Sequence, residues 1–392
     1  MRILYVHATV LPPPTDPRTD RFFLLSEMIE GDVLQPVWFQ TPEEVEAVFG
    51  PGSYPVHTVG KFRYHWMLGS PHRDIRQRLA TFVFYLRKGL ELHRQRRFDC
   101  IVAYSHMTTG FIAAILKILT SGKLIIEIAT SPDSAYITER PHPHMRERAM
   151  KLYSDISLHL TMFIADRAHL LYHTQLVAYR LLHNKPHSVF HEYVPVSRLD
   201  RHDHPAGCER YVLMVGAPWY PKGADVLIKA FLELANEFPD VKLKLLGFYP
   251  DQTALNALIG GSPQVEILKP RPHPEALKVI ARASVIVLPS RYEGLGRALI
   301  EGMAAGIPVV GSDVGGIPML IRDGENGFLI PVGDSNLLRE RLRLLLQDPQ
   351  LSRRMGDAGY TRAHSELDER TYVREFSRMV EATVRGDNAG GH

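Results

Sequence analysis

The chain has 392 residues, of which 45% are hydrophobic and 23% are charged, and its formal net charge is +3. This length predicts two or three domains with cores of their own, and the composition excludes a disordered or fibrous protein. Two cysteines provide no disulfide framework and are typical of a reducing cytosol. No apolar run reaches the roughly 18 residues of a membrane span, and the first residues do not resemble a signal peptide. We therefore expect a cytoplasmic protein.

The first half of the chain alternates short apolar runs with amphipathic segments, as α/β domains do. Predicted strands cover 2–6, 33–39, 99–104, 123–128 and 189–193, and predicted helices cover 22–29, 156–165 and 170–182. The segment from 40 to about 70 shows no clear period, so we expect it to be irregular.

Two side chains that follow predicted strands are candidates for ligand contacts. Arg18 lies in the charged loop after the first strand, where its guanidinium suits an anion; Arg21 offers the same chemistry, and both are equally explained as surface charges. His106 follows the strand 99–104, at the edge where open α/β sheets bind ligands. A packed or capping histidine is the equal alternative at that position.

Basic residues are concentrated between Lys61 and Arg97, where ten lysines and arginines stand against two acidic residues. Many of them flank an apolar stretch at 82–86. A helix with this pattern can lie on an anionic bilayer surface, although a solvated helix that covers a sheet shows the same pattern. Nucleic acid is a weaker hypothesis, because no known nucleic-acid motif accompanies the charge.

The polar stretch 195–208 is rich in residues that break regular structure, and it predicts a domain boundary. His202 and His204 flank Asp203 there, but no further ligands with zinc-like spacing follow. A solvated linker therefore explains them better than a metal site.

The second half alternates strands and helices regularly, which predicts a doubly wound parallel sheet. The predicted strands cover 211–215, 242–246, 265–268, 285–288, 308–310 and 328–330. The helices between them include 224–238, 275–282 and 337–347, and a last helix covers 371–384.

The most informative stretch is 285–319, in which two glycine loops each lead from a strand into a helix. Gly294 and Gly296 let a ligand approach the backbone, and the helix after them offers unpaired N–H groups to an anion. Glu293 and Glu301 lie eight residues apart, and carboxylates accept hydrogen bonds from vicinal hydroxyls. The pattern therefore indicates a ligand with a diphosphate in the middle and hydroxyl groups at both ends. A nucleotide sugar is such a ligand. Solvated glutamates are the ordinary alternative, and a dinucleotide fingerprint fits poorly because Leu299 stands where a glycine belongs.

This stretch resembles the retaining glycosyltransferases of family 4, which have the GT-B fold. The likeness covers about the second half of the chain. It is carried by Glu293-Gly294-Leu295-Gly296, Glu301, Gly306-Ile307-Pro308, Gly315-Gly316, Asp323-Gly324-Glu325-Asn326-Gly327, Val215-Gly216 and Lys222-Gly223.

The resemblance implies an α/β GT-B protein with two Rossmann-like, doubly wound domains that face a cleft. Residues 1–200 would bind the acceptor, and residues 208–365 would bind the nucleotide sugar. Residues 366–392 would form a helix that crosses back to the first domain, followed by a flexible tail.

The resemblance also implies roles for individual residues. Glu293 and Lys222 would be catalytic, with Glu293 on the transferred sugar and Lys222 on the leaving diphosphate. The donor-binding set would be Gly216, Lys222, Arg271, Glu293, Gly294, Leu295, Gly296 and Glu301, where Glu301 takes the ribose hydroxyls and Arg271 lies near the base. On the acceptor side the candidates are Arg18 and His106. The family usually has an arginine after the glycine of Gly216, whereas this chain has Ala217, so Arg297, Arg291 or Arg18 would compensate.

The implied activity is retaining transfer of a hexose-type sugar from a nucleoside diphosphate sugar to an acceptor hydroxyl. The acceptor would be a sugar, a lipid-linked molecule or a small molecule in the synthesis of a bacterial glycolipid, polysaccharide or glycosylated natural product. No Asp-x-Asp pair occurs in the sequence, so we expect no metal and no other cofactor. Contact with the inner face of an anionic membrane is a further expectation. The alternatives are a sugar-nucleotide epimerase and a non-catalytic protein that binds nucleotide sugars.

Overall fold

The computed structural model describes residues 1–7, 13–69, 74–129, 145–179, 182, 184–199, 201 and 209–387. The chain forms two compact units. The first contains Met1–Ala129, Lys151–Phe190 and the C-terminal segment from Tyr372, and His191–Thr371 belongs to the second. Within the described ranges, no helix is both long and apolar enough to cross a membrane.

The first unit is built on an eight-stranded sheet. Its strands are β1 (Arg2–Val6), β2 (Glu30–Val37), β3 (Val56–Val59), β4 (Phe62–Leu68), β5 (Cys100–Tyr104), β6 (Lys123–Ile128), β7 (Arg167–Leu170) and β8 (His187–Val189). They lie in the order β3-β4-β2-β1-β5-β6-β7-β8, and only the β3–β4 pair is antiparallel. The central strands are buried along their length, as is usual for parallel strands with helices on both faces.

Helices connect these strands and cover the sheet. They are α1 (Arg21–Leu25), α2 (Pro42–Phe49), α3 (Ile75–Gln95), α4 (Thr108–Thr120), α5 (Met145–Ile164) and α6 (Thr174–Ala178). The side chains of Asp20, Thr41 and Asp74 cap the first turns of α1, α2 and α3. The core of this unit lies between the sheet and α3, α4 and α5.

Three predictions for the first unit are wrong. The strand predicted at 189–193 lies at His187–Val189 instead, so the two share only Val189. The segment from 40 to 70 is not irregular, because it contains α2, β3 and β4. The predicted helix at 170–182 is instead the end of β7 followed by the short helix α6. The predicted boundary at 195–208 and its two histidines lie mostly outside the described residues, apart from a 3₁₀ turn at Val196–Arg198.

The second unit has a six-stranded parallel sheet. Its strands are β9 (Arg210–Val215), β10 (Val241–Leu246), β11 (Val265–Leu268), β12 (Val285–Leu288), β13 (Val309–Ser312) and β14 (Gly327–Ile330). Their order is β11-β10-β9-β12-β13-β14. The strands β10 and β11 follow β9 on one side, and β12, β13 and β14 follow on the other side. The strand order therefore reverses between β9 and β12.

Helices connect and follow the strands of the second unit. They are α7 (Ala224–Leu232), α8 (Thr253–Ile259), α9 (His273–Ile280), α10 (Arg297–Ala304), α11 (Ile317–Leu320), α12 (Ser335–Gln347) and α13 (Pro349–Glu366). The last helix, α14 (Glu369–Arg385), begins in this unit, and its residues from Tyr372 belong to the first unit. There Arg167 Nε donates to Thr383 Oγ1 at 3.0 Å.

Candidate functional site

The candidate site lies at the carboxyl ends of β9 and β12, where the strand order of the second sheet reverses. Open parallel sheets bind ligands in the crevice at such a point, because the connecting helices leave in opposite directions. Gly216 follows β9 with a φ of 135°, which only glycine adopts readily. A Cβ at this position would lie 3.4 Å from Lys222 Cε, so the lysine stem runs past the bare backbone of Gly216.

Glu293 and Lys222 form an ion pair at the mouth of this crevice. Lys222 Nζ lies 2.8 Å from Glu293 Oε2. Ser290 Oγ donates to the same oxygen at 3.1 Å, and the N–H of Gly294 donates to Oε1 at 3.2 Å. Glu293 is only 7% exposed, so these donors compensate for the burial of its carboxylate. The structure therefore brings Gly216, Lys222, Glu293 and Gly294 together.

The loop after β12 is fitted closely to the loop after β13. A Cβ on Gly315, whose φ is 61°, would lie 2.2 Å from the carbonyl oxygen of Glu293. The N–H of Gly316 donates to the carbonyl of Gly294 at 2.7 Å. Gly315 and Gly316 thus allow the loop after β13 to pack against the loop after β12. This packing fixes the backbone of Glu293 and hence the direction of its side chain.

Helix α10 begins beside this pair without a side-chain cap. Gly296 is the N-cap residue, with a φ of 86°, and the first turn contains no acidic residue. The N-terminal N–H groups and the helix dipole therefore favour an anion at this end. Arg297, the first residue of α10, is exposed beside it, whereas Leu295 is buried.

Arg291 has a structural role in the same loop. Its guanidinium makes two contacts of 2.7 Å with Asp225 and also donates to the carbonyl of Tyr220 at 2.8 Å. The hydrogen bond with Asp225 raises the pKa of Arg291. Because these donors are already engaged, Arg291 braces the loop that precedes α7, and Arg297 is the better candidate to replace the missing arginine at Ala217.

Glu301 lies on α10 and points to a histidine that sequence reasoning missed. His273 Nε2 is 2.8 Å from Glu301 Oε1, and Glu301 is 5% exposed. His273 is the first residue of α9, and Arg271 is exposed two residues before it. The approach of α9 to α10 is a tertiary contact, so no local pattern indicates it. Ser290, which donates to Glu293 Oε2, is likewise absent from the residues predicted for the site.

The two candidates of the first unit have different surroundings. Arg18 is 78% exposed at its side chain, and it contacts Asp16 at 3.3 Å. His106 is buried, with Nε2 2.7 Å from Ser154 Oγ on α5. Burial lowers the pKa of His106 to about 4. This geometry favours the interpretation of His106 as a packed histidine. Contact with an acceptor stays a prediction for both Arg18 and His106.

Among the residues that the structure describes, no group of three or more His, Cys, Asp or Glu side chains is arranged to hold a metal ion. His202 and His204 lie outside those residues. Independence of metals is a prediction that only an activity measurement tests.

Comparison with known proteins gives a match to a family model for residues 198–362 and a fold for the whole chain. Residues 198–362 match the family model described as "Glycosyl transferases group 1". The D-inositol 3-phosphate glycosyltransferase of Corynebacterium efficiens is 32% identical over 190 residues, which are 46% of this chain and 45% of that protein. The matches thus span less than half the length of the curated relatives.

Two solved structures resemble the chain over almost its full length. Sucrose-phosphate synthase from Thermosynechococcus elongatus is 18% identical, with a TM-score of 0.75 over 97% of this chain and 98% of that one. HepE of Anabaena in complex with UDP-glucose is 16% identical, with a TM-score of 0.70 over 97% and 100%. These likenesses confirm the predicted GT-B fold.

Proposed function

We propose that the chain is a glycosyltransferase of family 4 that moves a sugar from a nucleoside diphosphate sugar to an acceptor hydroxyl with retention of configuration. The observation that carries the proposal is the contact of 2.8 Å between Lys222 Nζ and Glu293 Oε2, at the reversal of strand order and beside the uncapped start of α10. An ammonium and a carboxylate side by side suit the diphosphate and the hydroxyls of a donor sugar. The family match over residues 198–362 supports the same activity.

The donor is held along the line from Glu293 to Glu301. The sugar hydroxyls donate to Glu293, and the diphosphate lies at the start of α10 near Lys222. His273 occupies Oε1 of Glu301, which leaves Oε2 to accept hydrogen bonds from the ribose hydroxyls. Arg271 is exposed near this end of the site, on the side where the base would lie.

The reaction needs no protein nucleophile in this proposal. The acceptor oxygen forms a bond to the anomeric carbon on the face from which the diphosphate departs, and the bond between that carbon and the phosphate oxygen breaks. The acceptor proton passes to the departing phosphate oxygen. Lys222 and the N–H groups of α10 stabilise the negative charge that develops there. Divalent metal ions and other cofactors are not required.

The acceptor side is proposed to act at a membrane surface. Helix α3 exposes an apolar stripe of Ile75, Leu79 and Val83, with Ile75 82% exposed, and the basic residues Arg76 and Arg87 are also exposed on this helix. Helix α5 of the same unit exposes further apolar side chains, at Leu152, Ile156, Leu160 and Phe163. Apolar area flanked by cations suits the boundary of an anionic bilayer. A lipid-linked acceptor on the cytoplasmic face is therefore the acceptor class that we favour.

A panel of nucleoside diphosphate sugars tests the proposal, beginning with UDP-glucose because it was bound in the HepE structure. A donor that binds raises the melting temperature by mass action. Incubation with that donor and a set of glycolipid, sugar and small-molecule acceptors should release a nucleoside diphosphate and yield a product with the anomeric configuration of the donor. An altered free sugar nucleotide in the absence of acceptor would instead identify an epimerase, and binding without turnover on any acceptor would identify a binding protein.

A further inference from the structure

A cavity of about 440 Å³ opens at the amino-terminal edge of the first sheet, on the side away from the carboxyl ends of its strands. It lies where β1, β2 and β4 begin and where α3 ends. Its lining consists of Arg2, Glu30, Gly31, Thr58, Gly60, Lys61, Arg63, Gln95 and Arg96. Four of these nine residues are cations and one is an anion, so the lining is strongly basic.

The charge of this cavity is only partly compensated by its own carboxylates. Arg2 and Arg63 both bind Asp32, which is fully buried behind the lining, and Arg63 Nε lies 3.0 Å from its Oδ1. His65 Nε2 also contacts that oxygen, at 2.7 Å. One carboxylate cannot neutralise two guanidinium groups, and its oxygens are already engaged by three side chains.

Within the described part of the chain, only Glu30 and Asp32 form ion pairs with these four cations, so two cations have no carboxylate of their own; Asp99 lies nearby, where its Oδ2 accepts the backbone N–H of Arg2 at 2.8 Å. Arg96 pairs with Glu30, so Arg96 and Arg2 can be counted as neutralised by Glu30 and Asp32. Arg63, whose side chain is 47% exposed, then carries an uncompensated charge. Lys61 is exposed and has no ion pair among the residues that the structure describes.

The backbone that carries Lys61 is fixed rather than loose. Gly60 and Lys61 form the turn between β3 and β4, and Gly60 has a φ of 60°. The N–H of Lys61 donates to Ser26 Oγ at 2.8 Å, and Ser26 Oγ donates to the carbonyl of Phe22 at 2.6 Å. The turn therefore presents Lys61 beside Arg63 without a large loss of backbone freedom on binding, which favours affinity.

We propose that this cavity is a second anion site, which binds a compact ligand with a phosphate or diphosphate group through Lys61 and Arg63. Guanidinium groups match the oxygens of phosphate in geometry, and an ammonium adds a point charge. The site is separate from the donor site, since it lies at the amino-terminal edge of the other sheet. Its existence does not depend on the proposed transfer reaction.

Titration with inorganic pyrophosphate tests the site, with calorimetry as the readout. The Lys222→Ala variant provides the background, because pyrophosphate also suits the donor site. In that background we expect saturable binding that weakens as the salt concentration rises, and a dissociation constant at least tenfold higher when Lys61→Gln and Arg63→Gln are added. Arg97→Gln, a neighbouring exposed arginine outside the lining, is the matched control and should bind as its parent does.

Lys61→Gln alone guards against a folding defect, because Lys61 has no part in the Asp32 cluster. It should keep the melting temperature of its parent and still weaken binding. Vesicles that contain phosphatidic acid distinguish a lipid headgroup from a soluble ligand, since sedimentation with them should depend on the same two residues only if the headgroup enters the cavity. The inference is overturned if pyrophosphate does not bind in the Lys222→Ala background, or if it binds equally well after the substitutions at Lys61 and Arg63.

Discussion

Lys222 and Glu293 come from opposite sides of the strand-order reversal and meet at 2.8 Å. Lys222 follows β9 and Glu293 follows β12, and 70 residues separate them in the sequence. In the absence of a donor each neutralises the other. Because the carboxylate is also held by Ser290 and by the N–H of Gly294, the ammonium is free to turn to a diphosphate without leaving Glu293 unsupported.

This arrangement predicts that Lys222→Ala lowers kcat much more than it destabilises the fold. The charge is needed where the diphosphate leaves, and a tenfold loss corresponds to about 1.4 kcal/mol of barrier. We expect a loss of at least that size in steady-state turnover. Lys229→Ala, an exposed lysine on α7, should behave as the parent. Unchanged turnover with a lower melting temperature would show that Lys222 is structural.

Glu301→Ala should weaken nucleotide binding, because the ribose hydroxyls lose a charged acceptor. Hydrogen bonds to a charged group contribute roughly 1.5–3 kcal/mol, so the dissociation constant measured by calorimetry should rise by about tenfold or more. His273→Ala should have a smaller effect in the same direction, since it only orients Oε1 of Glu301. Glu275→Ala, exposed on α9, is the control. Equal nucleotide affinity in Glu301→Ala and the parent would refute the ribose assignment.

The burial of His106 predicts a stability that falls with acidity. Burial lowers its pKa from 6.5 to about 4, so between these two values the unfolded chain binds more protons than the folded one. Stability therefore declines as the pH falls through this window, by up to about 3 kcal/mol. Denaturant unfolding at pH 7 and pH 4.5 should show a smaller decline for His106→Gln than for the parent. The comparison with the variant isolates His106, because burial also lowers the pKa values of His57 and His93.

We expect transfer activity to survive exhaustive chelation. In the proposed reaction, Lys222 and the start of α10 supply the positive potential at the diphosphate that a metal ion supplies in other transferases. Release of nucleoside diphosphate should proceed at the same rate after dialysis against a chelator. A loss of activity that added magnesium or manganese restores would contradict this prediction.

The sequence is most informative for the short strands of the two sheets. The strands at 2–6, 123–128, 265–268 and 285–288 were predicted at the bounds that the structure shows, because each is an apolar run between residues that break regular structure. The family resemblance, and no local pattern, is what predicts that Gly216 and Lys222 after β9 belong to one site with Glu293 after β12.

Tertiary contacts explain what sequence reasoning missed. The strand β4 carries Arg63 and His65, whose polar side chains obscure its pattern, yet both side chains turn to the buried Asp32 of β2. At 170–182 the apolar residues imitate a helical period. There Gln175 accepts from the N–H of Leu171 and donates to the carbonyl of Ile128, which ends β7 and starts a new turn. The contact between His273 and Glu301 joins two helices and has no local signal.

The last prediction concerns the proposed contact of α3, in the first unit, with a membrane surface. Ile75, Leu79 and Val83 form one exposed stripe on α3, four residues apart, and the cations Arg76 and Arg87 add about 1 kcal/mol each near an anionic surface. The protein should therefore sediment with vesicles of anionic lipid at low salt and stay in the supernatant with zwitterionic vesicles. Binding should weaken when salt shortens the screening length to below about 8 Å.

Two variants separate the apolar and electrostatic contributions to this binding. Ile75→Asn with Leu79→Asn should reduce sedimentation at every salt concentration, because less apolar area enters the bilayer, whereas Arg76→Gln with Arg87→Gln should reduce it mainly at low salt. Both should keep the parent's affinity for the donor, which binds the other unit. Phe248→Ser, an exposed aromatic residue of the second unit that is 66% exposed, controls for the general loss of apolar surface and should sediment as the parent does. If the parent protein remains in the supernatant at low salt, α3 is only a solvated helix and a soluble acceptor becomes the better hypothesis.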